Sequence, residues 1–322
     1  MHDKLVQLIL FSGLVYLPLA AGHAAASRGI LVRDISGSVM RGTWLLLEPV
    51  ATVIAFWSLD LRKVADLAAA PVLGSLWMVA MLVPAAVTAS VLRLEQPRRG
   101  NFLVAAMFSN NGITLGSFLC LILFGIEGQA VATLFVLGFM PLLLSVGFGI
   151  GRRSARAAGL DAGGGESFGL LRAVPYAAMG LGLALNAAGA ARPAFTLPLN
   201  RAVVFVDVAV YSFAIGTLFD LRSVRRFLRE CLAMSGLKFA VSPAIGIVLF
   251  LAASLFLHLS PLLLKVMIVQ CAMPVAIMSV VVSRFCRLDM QLAAACWVFT
   301  TLAVSGIVPV LAYVLPRLVP GD

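Results

Sequence analysis

Two acids stand where acids are costly. Glu48 lies midway along the apolar run Leu45-Leu46-Leu47-Glu48-Pro49, and Asp207 lies within Val204-Phe205-Val206-Asp207-Val208. An ionisable side chain at such depth in an apolar span is a functional candidate by default. The chemistry both offer is reversible proton uptake; the alternative is a protonated carboxyl bonded to a neighbouring carbonyl or hydroxyl. Tyr211, one helical turn beyond Asp207, is placed to share its face.

A second set of residues breaks helices. In the apolar run FLVAAMFSNNGITLGSFLCLILFG, Ser109, Asn110, Asn111 and Gly112 fall near the middle. Adjacent asparagines point about 100° apart on a helix, so both cannot readily hide against one neighbour, and Asn-Asn-Gly is a strong turn former. A break at 109–112 is therefore expected, lining a cavity, since non-helical backbone at membrane depth needs protein or water to satisfy it. In LLLKVMIVQCAMPVAIMSVVVS, Pro274 sits near the middle and should free the carbonyl of Gln270, four residues earlier. Gln270 and Met273 flank that break as weaker candidates, because neighbours of a break can serve packing alone.

The elements that must position these residues are membrane spans. Of 322 residues, 61% are apolar and 12% charged, and mean hydropathy is +1.05, far from the average soluble domain. With about 20 residues per span, apolar windows fall near 5–25, 39–58, 67–92, 101–125, 128–150, 170–190, 201–219, 237–257, 261–284 and 290–315. That leaves no room for a separate water-soluble catalytic domain. The polar stretch from Gly151 to Ser167 reads as a flexible loop. It divides the chain into a first five-span half (1–150), a cytoplasmic loop (151–169) and a second half (170–322). Lys4, an apolar run and Ala-Gly-His-Ala-Ala-Ala imitate a secretory signal, but removing that segment would spoil the five-and-five division, and the first span is read as retained.

Charge gives the orientation. The formal charge of +10 could suggest nucleic acid, yet the basic residues stand singly or in small groups between apolar runs, as in membrane-flanking loops. Seventeen Lys and Arg fall on the side of the odd loops, Lys238 among them, and seven on the other. By the positive-inside rule the odd loops are cytoplasmic and both termini face outward, as expected in a bacterial inner membrane. Arg222-x-x-Arg225-Arg226-x-x-Arg229 reads as an inner surface segment touching anionic headgroups. Cys120, Cys231, Cys271, Cys286 and Cys296 form no CxxC pair and read as reduced packing residues. His2, His23 and His258 pair with no spaced ligand, so neither a metal nor a cofactor is expected. No G-x-S-x-G serine motif occurs, and an enzyme is not expected.

The halves repeat. Asp60-Leu61-Arg62-Lys63-Val64 matches Asp220-Leu221-Arg222-Ser223-Val224, and Glu127 and Gln129 recur as Asp289 and Gln291. Glu48 and Asp207 lie at nearly the same offset, as do Asn111 with Met273 and Gly112 with Pro274. Five spans per half force opposite insertion of the two copies, the inverted repeat of secondary transporters. The expected fold is therefore an all-α membrane protein of ten transmembrane helices in two inverted five-helix repeats, with helices 4 and 9 broken. Crossed broken helices would present helix N-termini to one point, which suits a carboxylate.

Two stretches resemble a known family. The run from Cys271-Ala-Met-Pro-Val-Ala-Ile-Met through Arg287-Leu-Asp-Met-Gln, and Ser109-Asn-Asn-Gly-Ile-Thr-Leu-Gly, resemble the span 9 to 10 and span 4 motifs of the auxin efflux carrier family. The resemblance implies the fold shared with the bile acid sodium symporters, a crossover of helices 4 and 9, and a division into scaffold and transport domains. It implies transport of small organic anions such as auxin, malate or malonate. Asn110, Asn111, Gly112, Met273 and Pro274 inherit the crossover role. Two features depart from the pattern: no proline follows the span 4 glycine, and Val266, not Glu, precedes Gln270 by four residues. The expected function is elevator-type secondary transport of a small carboxylate across the bilayer, coupled to protons through Glu48 or Asp207 or to the potential. A sodium-coupled symporter and a non-transporting sensor are the alternatives, and a homodimer is a further expectation.

Overall fold

The structure is a computed structural model and describes residues 2–30, 34–59, 64–112, 115–160, 169–217 and 221–318. In the first half of the chain the helices are α1 (His2–Ser27), α2 (Asp34–Trp57), α3 (Val64–Ala80), α4 (Leu82–Val91), α5 (Arg98–Met107), α6 (Gly116–Phe135), α7 (Phe139–Leu142) and α8 (Phe148–Ala157). In the second they are α9 (Gly169–Ala187), α10 (Thr196–Gly216), α11 (Leu221–Arg226), α12 (Leu228–Gly236), α13 (Ser242–Ser254), α14 (Pro261–Cys271), α15 (Ile277–Phe285) and α16 (Met290–Leu318). Two π-helical turns interrupt these rods, Leu143–Gly147 before α8 and Leu237–Val241 before α13.

Helical segments overlie each of the ten apolar windows. Five stretches are long and apolar enough to cross a bilayer: Ala68–Val91, Gly116–Ala157, Thr196–Ala214, Leu228–Ser254 and Met290–Leu311. The second of these is kinked at Gly125, whose φ of 72° is open to glycine and strained for other residues. Windows 4 and 9 carry short helices, α5, α14 and α15, because each is broken in its middle. Leu17, Leu46, Val83, Val91, Leu255 and Phe256 are all exposed; helices that coat themselves with large apolar side chains face lipid. The chain is an integral, multi-pass membrane protein.

One expectation is corrected here. The stretch beginning at Gly151 does not start as a loop, since α8 continues to Ala157. Gly151, Ser154 and Ala155 are buried at helical spacing, while Arg152, Arg153 and Arg156 are exposed, so the composition that suggested a linker is that of an amphipathic helix end. A Cβ on Gly151 would lie 2.8 Å from Cys286 Sγ, which is why glycine stands there. The rest of the polar stretch, 161–168, lies outside the described residues, as do Asp60 to Lys63 and Asp220 of the repeated motif.

The chain folds into two compact units, each taking segments from both halves. One comprises Met1–Val64, Gly112–Thr133 and Ser167–Phe219. In it α10 packs on α1 and α2, and α2 on α9. Gly22 and Gly216 meet across the α1–α10 contact: a Cβ on Gly22 would lie 2.0 Å from the Phe213 carbonyl oxygen, and one on Gly216 2.0 Å from that of Leu19. This is close backbone approach through small residues, the membrane substitute for a hydrophobic drive. Asn186 Nδ2 closes the end of α2 by donating to the Phe56 and Leu59 carbonyls at 3.0 and 2.8 Å. Gln129 and Asn200, both buried, join side chain to side chain at 2.7 Å. The other unit comprises Ala65–Asn111, Leu134–Glu166 and Asp220–Asp322. It contains the helix break after Met107 and the break after Cys271.

Candidate functional site

The two breaks hold each other. Leaving α5, Phe108 turns extended (φ −104°, ψ 127°), and Ala276 is likewise extended (φ −71°, ψ 141°) just before α15. Ser109 and Val275 form an antiparallel bridge. Asn110 donates its backbone N–H to the Pro274 carbonyl at 2.8 Å, and Ala276 donates to the Phe108 carbonyl at 3.0 Å. Every backbone group left over by a broken helix must find a partner when water is excluded. Here each break supplies the other.

The remaining groups are met from two neighbouring helices. Lys238 Nζ, in the π-turn before α13, donates to the carbonyls of Ala106 at 2.8 Å and Phe108 at 3.0 Å and to Ser109 Oγ at 2.7 Å. Four residues on, Ser242 Oγ donates to the Cys271 carbonyl at 2.5 Å. One stretch of chain thus serves the carbonyl ends of both broken helices, the ends that carry partial negative charge. On the other side, Thr300 Oγ1 of α16 accepts the Val275 N–H at 3.1 Å. Trp77 Nε1 reaches Ser242 Oγ at 3.1 Å and fixes that hydroxyl.

The predicted residues take their places around this crossing. Asn111, Gln270, Met273 and Pro274 are buried; Asn110 and Gly112 are half-buried. Neither amide atom of the Gln270 side chain has a hydrogen-bond partner among the described residues, and Thr301 Oγ1 is also unpaired. Two expectations need amending. The Gln270 carbonyl that Pro274 was to free accepts the Met273 N–H at 3.3 Å. Gly112 has no positive φ, and among the described residues, its chain neighbours aside, no atom lies within 4 Å of where its Cβ would be, so nothing described there demands glycine.

Away from the crossing along the same helices, a polar clasp ties the ends opposite the breaks. Arg98 Nε at the start of α5 pairs with Asp289 Oδ2 at 2.8 Å. Asn101 Nδ2 donates to the Asp289 carbonyl, and Ser283 Oγ of α15 donates to Asn101 Oδ1. Asp289 Oδ1 also accepts the Leu292 N–H at 3.2 Å, in the first turn of α16. The Arg98 and Arg226 guanidiniums each lie over the Phe227 ring, 5.3 Å from its centroid. Arg225, Arg226 and Arg229 are exposed; Arg226 also donates to Gln291 Oε1 at 3.0 Å.

The two acids both belong to the other unit. α2 packs along α10, which sets the helix that carries Glu48 beside the helix that carries Asp207 and Tyr211. Asp207 and Tyr211 are buried and Glu48 is half-buried. Among the described residues neither Asp207 oxygen has a hydrogen-bond partner. Hydrogen bonding to a neighbouring hydroxyl, the alternative reading of Asp207, is therefore absent from its described surroundings.

Sequence reasoning placed Lys238 among the loop charges, and the structure moves it to the crossing, with none of it exposed. The available signal was its setting between Leu237 and Phe239, where a flanking charge would be unusual. Ser242 and Thr300 carried no signal; hydroxyls in apolar spans are common. All five cysteines are buried and none is in a disulfide.

Comparison with known families adds one finding. The family model described as the Sodium Bile acid symporter family matches residues 211–321, the last third of the chain. Over that stretch, which includes Lys238, the α14–α15 break and α16, the chain is similar to membrane transporters of the bile acid symporter type. No curated protein matches the chain.

Proposed function

We propose that the chain is a secondary active transporter that binds a small organic anion at the crossing of residues 108–112 with 272–276. The observation that carries this reading is the mutual pairing of the two breaks, Asn110 N–H to the Pro274 carbonyl and Ala276 N–H to the Phe108 carbonyl. Non-helical backbone persists at membrane depth where it is enclosed or lines a site, and broken helices with matched breaks are the usual binding elements of inverted-repeat carriers. The first N–H groups of α15 follow the break directly, and such an N-terminus favours a carboxylate. The unpaired Gln270 amide and the Asn110 and Asn111 side chains supply polar groups of the right kind to orient one. The unit that holds both breaks is the natural mobile body of an elevator cycle. Glu48 and Asp207 are the groups available for proton coupling, and the finer likeness to auxin efflux carriers rests on the motifs at 109–116 and 271–291.

A second reading, sodium-coupled symport, is favoured by the match to the bile acid symporter model. Reconstituted protein, challenged with labelled mono- and dicarboxylates under imposed pH, sodium or voltage gradients, separates the two. Uptake driven by pH or voltage supports the first reading; uptake driven by sodium alone supports the second.

A further inference from the structure

The ligands around Lys238 form a cation cage. Two main-chain carbonyls and a hydroxyl converge on Nζ at 2.7–3.0 Å. The carbonyls end α5, where the helix dipole is negative, and the side chain is fully buried. Unwound carbonyls and half-helix C-termini are the groups with which transporters hold small monovalent cations. An ammonium carries three protons, one for each of the three acceptors. Among the described residues no carboxylate pairs with it; its ionisable neighbour is the Cys271 thiol. The π-turn Leu237–Val241 that aims Lys238 inward is a second, independent sign, since π-turns cost helix geometry and cluster at functional positions.

We propose that the Lys238 ammonium is a built-in replacement for a monovalent metal cation at the crossing, so that the wild-type site needs no alkali ion and Lys238→Ala creates one. The inference rests on the crossing as the functional site for its consequence, sodium-independent coupling, but its physical content concerns an oxygen cage and can be read without transport. Removing the side chain leaves the Ala106 and Phe108 carbonyls and Ser109 Oγ facing a space once filled by charge, and a dehydrated sodium ion with water completing its shell satisfies them.

The test is thermal unfolding of the purified full-length chain in detergent, in sodium chloride against choline chloride at equal ionic strength. Wild type should melt at the same temperature in both. Lys238→Ala should melt lower than wild type in choline and regain about 3 °C or more in sodium, the size expected when a ligand present well above its Kd binds only the folded state. Lys238→Met, which refills the space with apolar atoms, should be destabilised without any preference between the salts. Three results overturn the proposal: wild type stabilised specifically by sodium, a folded Lys238→Ala indifferent to the salt, or Lys238→Ala and Lys238→Ser lost in both salts. Recovery of Lys238→Ala in sodium only supports it. Because unfolding is read, a failure here leaves the carboxylate reading standing, and absent carboxylate flux leaves this inference standing.

Discussion

Asn110 gives its backbone N–H to the carbonyl of Pro274, 164 positions further along the chain, at 2.8 Å. The residue that ends one helix is thereby anchored by the residue that prevents the other from continuing. Between α14 and α15 the chain is non-helical, so the Pro274 carbonyl has no intrahelical donor, and the asparagine turn offers one.

Pro274→Ala should leave the chain folded and inserted but lower carboxylate flux by about tenfold or more, because α14 and α15 could then join and withdraw the Pro274 carbonyl from Asn110; a tenfold loss corresponds to about 1.4 kcal/mol of binding or barrier. Uptake assays on protein matched for amount check this, with circular dichroism to confirm that the chain is folded. Full flux would mean that the break does not depend on its proline.

Two glycines should part company. Gly112→Ala meets open space among the described residues, at an ordinary φ, and should change stability by no more than about 0.5 kcal/mol. Gly216→Ala drives a Cβ to 2.0 Å from the Leu19 carbonyl oxygen and should cost about 2 kcal/mol by pushing α10 off α1. Melting temperatures of the two variants, measured side by side, decide the matter; equal values would contradict the close approach.

Asp289→Ala removes the acceptor of Leu292 N–H and the partner of Arg98 together. The ion pair is partly exposed, with Arg98 at 44% and Asp289 at 19%, so screening leaves it little weight. The N-terminal cap supplies most of an expected cost of about 1 kcal/mol. If Asp289→Asn, which keeps a capping oxygen, retains most of the stability, the cap carries the effect; if it loses as much as Ala, the charge does.

Much of this was legible in the sequence, for identifiable reasons. Helix position follows from apolar windows, since only helices and closed barrels cross bilayers, and the breaks announce themselves through Asn-Asn-Gly and Pro274. That α2, which carries Glu48, packs on α10, which carries Asp207, had no local signature. Lys238 was not read correctly, because a charge count assigns a cation near a span end to the loop, and burial depends on carbonyls contributed from 130 or more residues away. The arginines of 151–157 misled in the same way: charge density suggests a linker, while the helix is set by the small residues between them. The second contact of Asp289, with Asn101, joins distant segments whose pairing has no local signature.

The acid pair gives a prediction about driving force. Glu48→Gln and Asp207→Asn each remove a proton carrier while keeping shape, so uptake should lose its response to an imposed pH gradient while exchange of labelled for unlabelled substrate persists. Counterflow and pH-driven uptake, measured in the same vesicles, separate the two. Unaltered pH-driven uptake in both variants would remove the acids from coupling.

That the crossing binds the transported anion is checked by carboxylate uptake into proteoliposomes containing wild type, Asn110→Ala, Asn111→Ala and, as a matched control outside the site, Gly306→Ala, whose added Cβ meets open space on the exposed side of α16. Uptake should be saturable in wild type and Gly306→Ala and fall by about tenfold in at least one asparagine variant, about 1.4 kcal/mol, with insertion unchanged. Wild-type uptake that both asparagine variants retain in full would place the anion elsewhere.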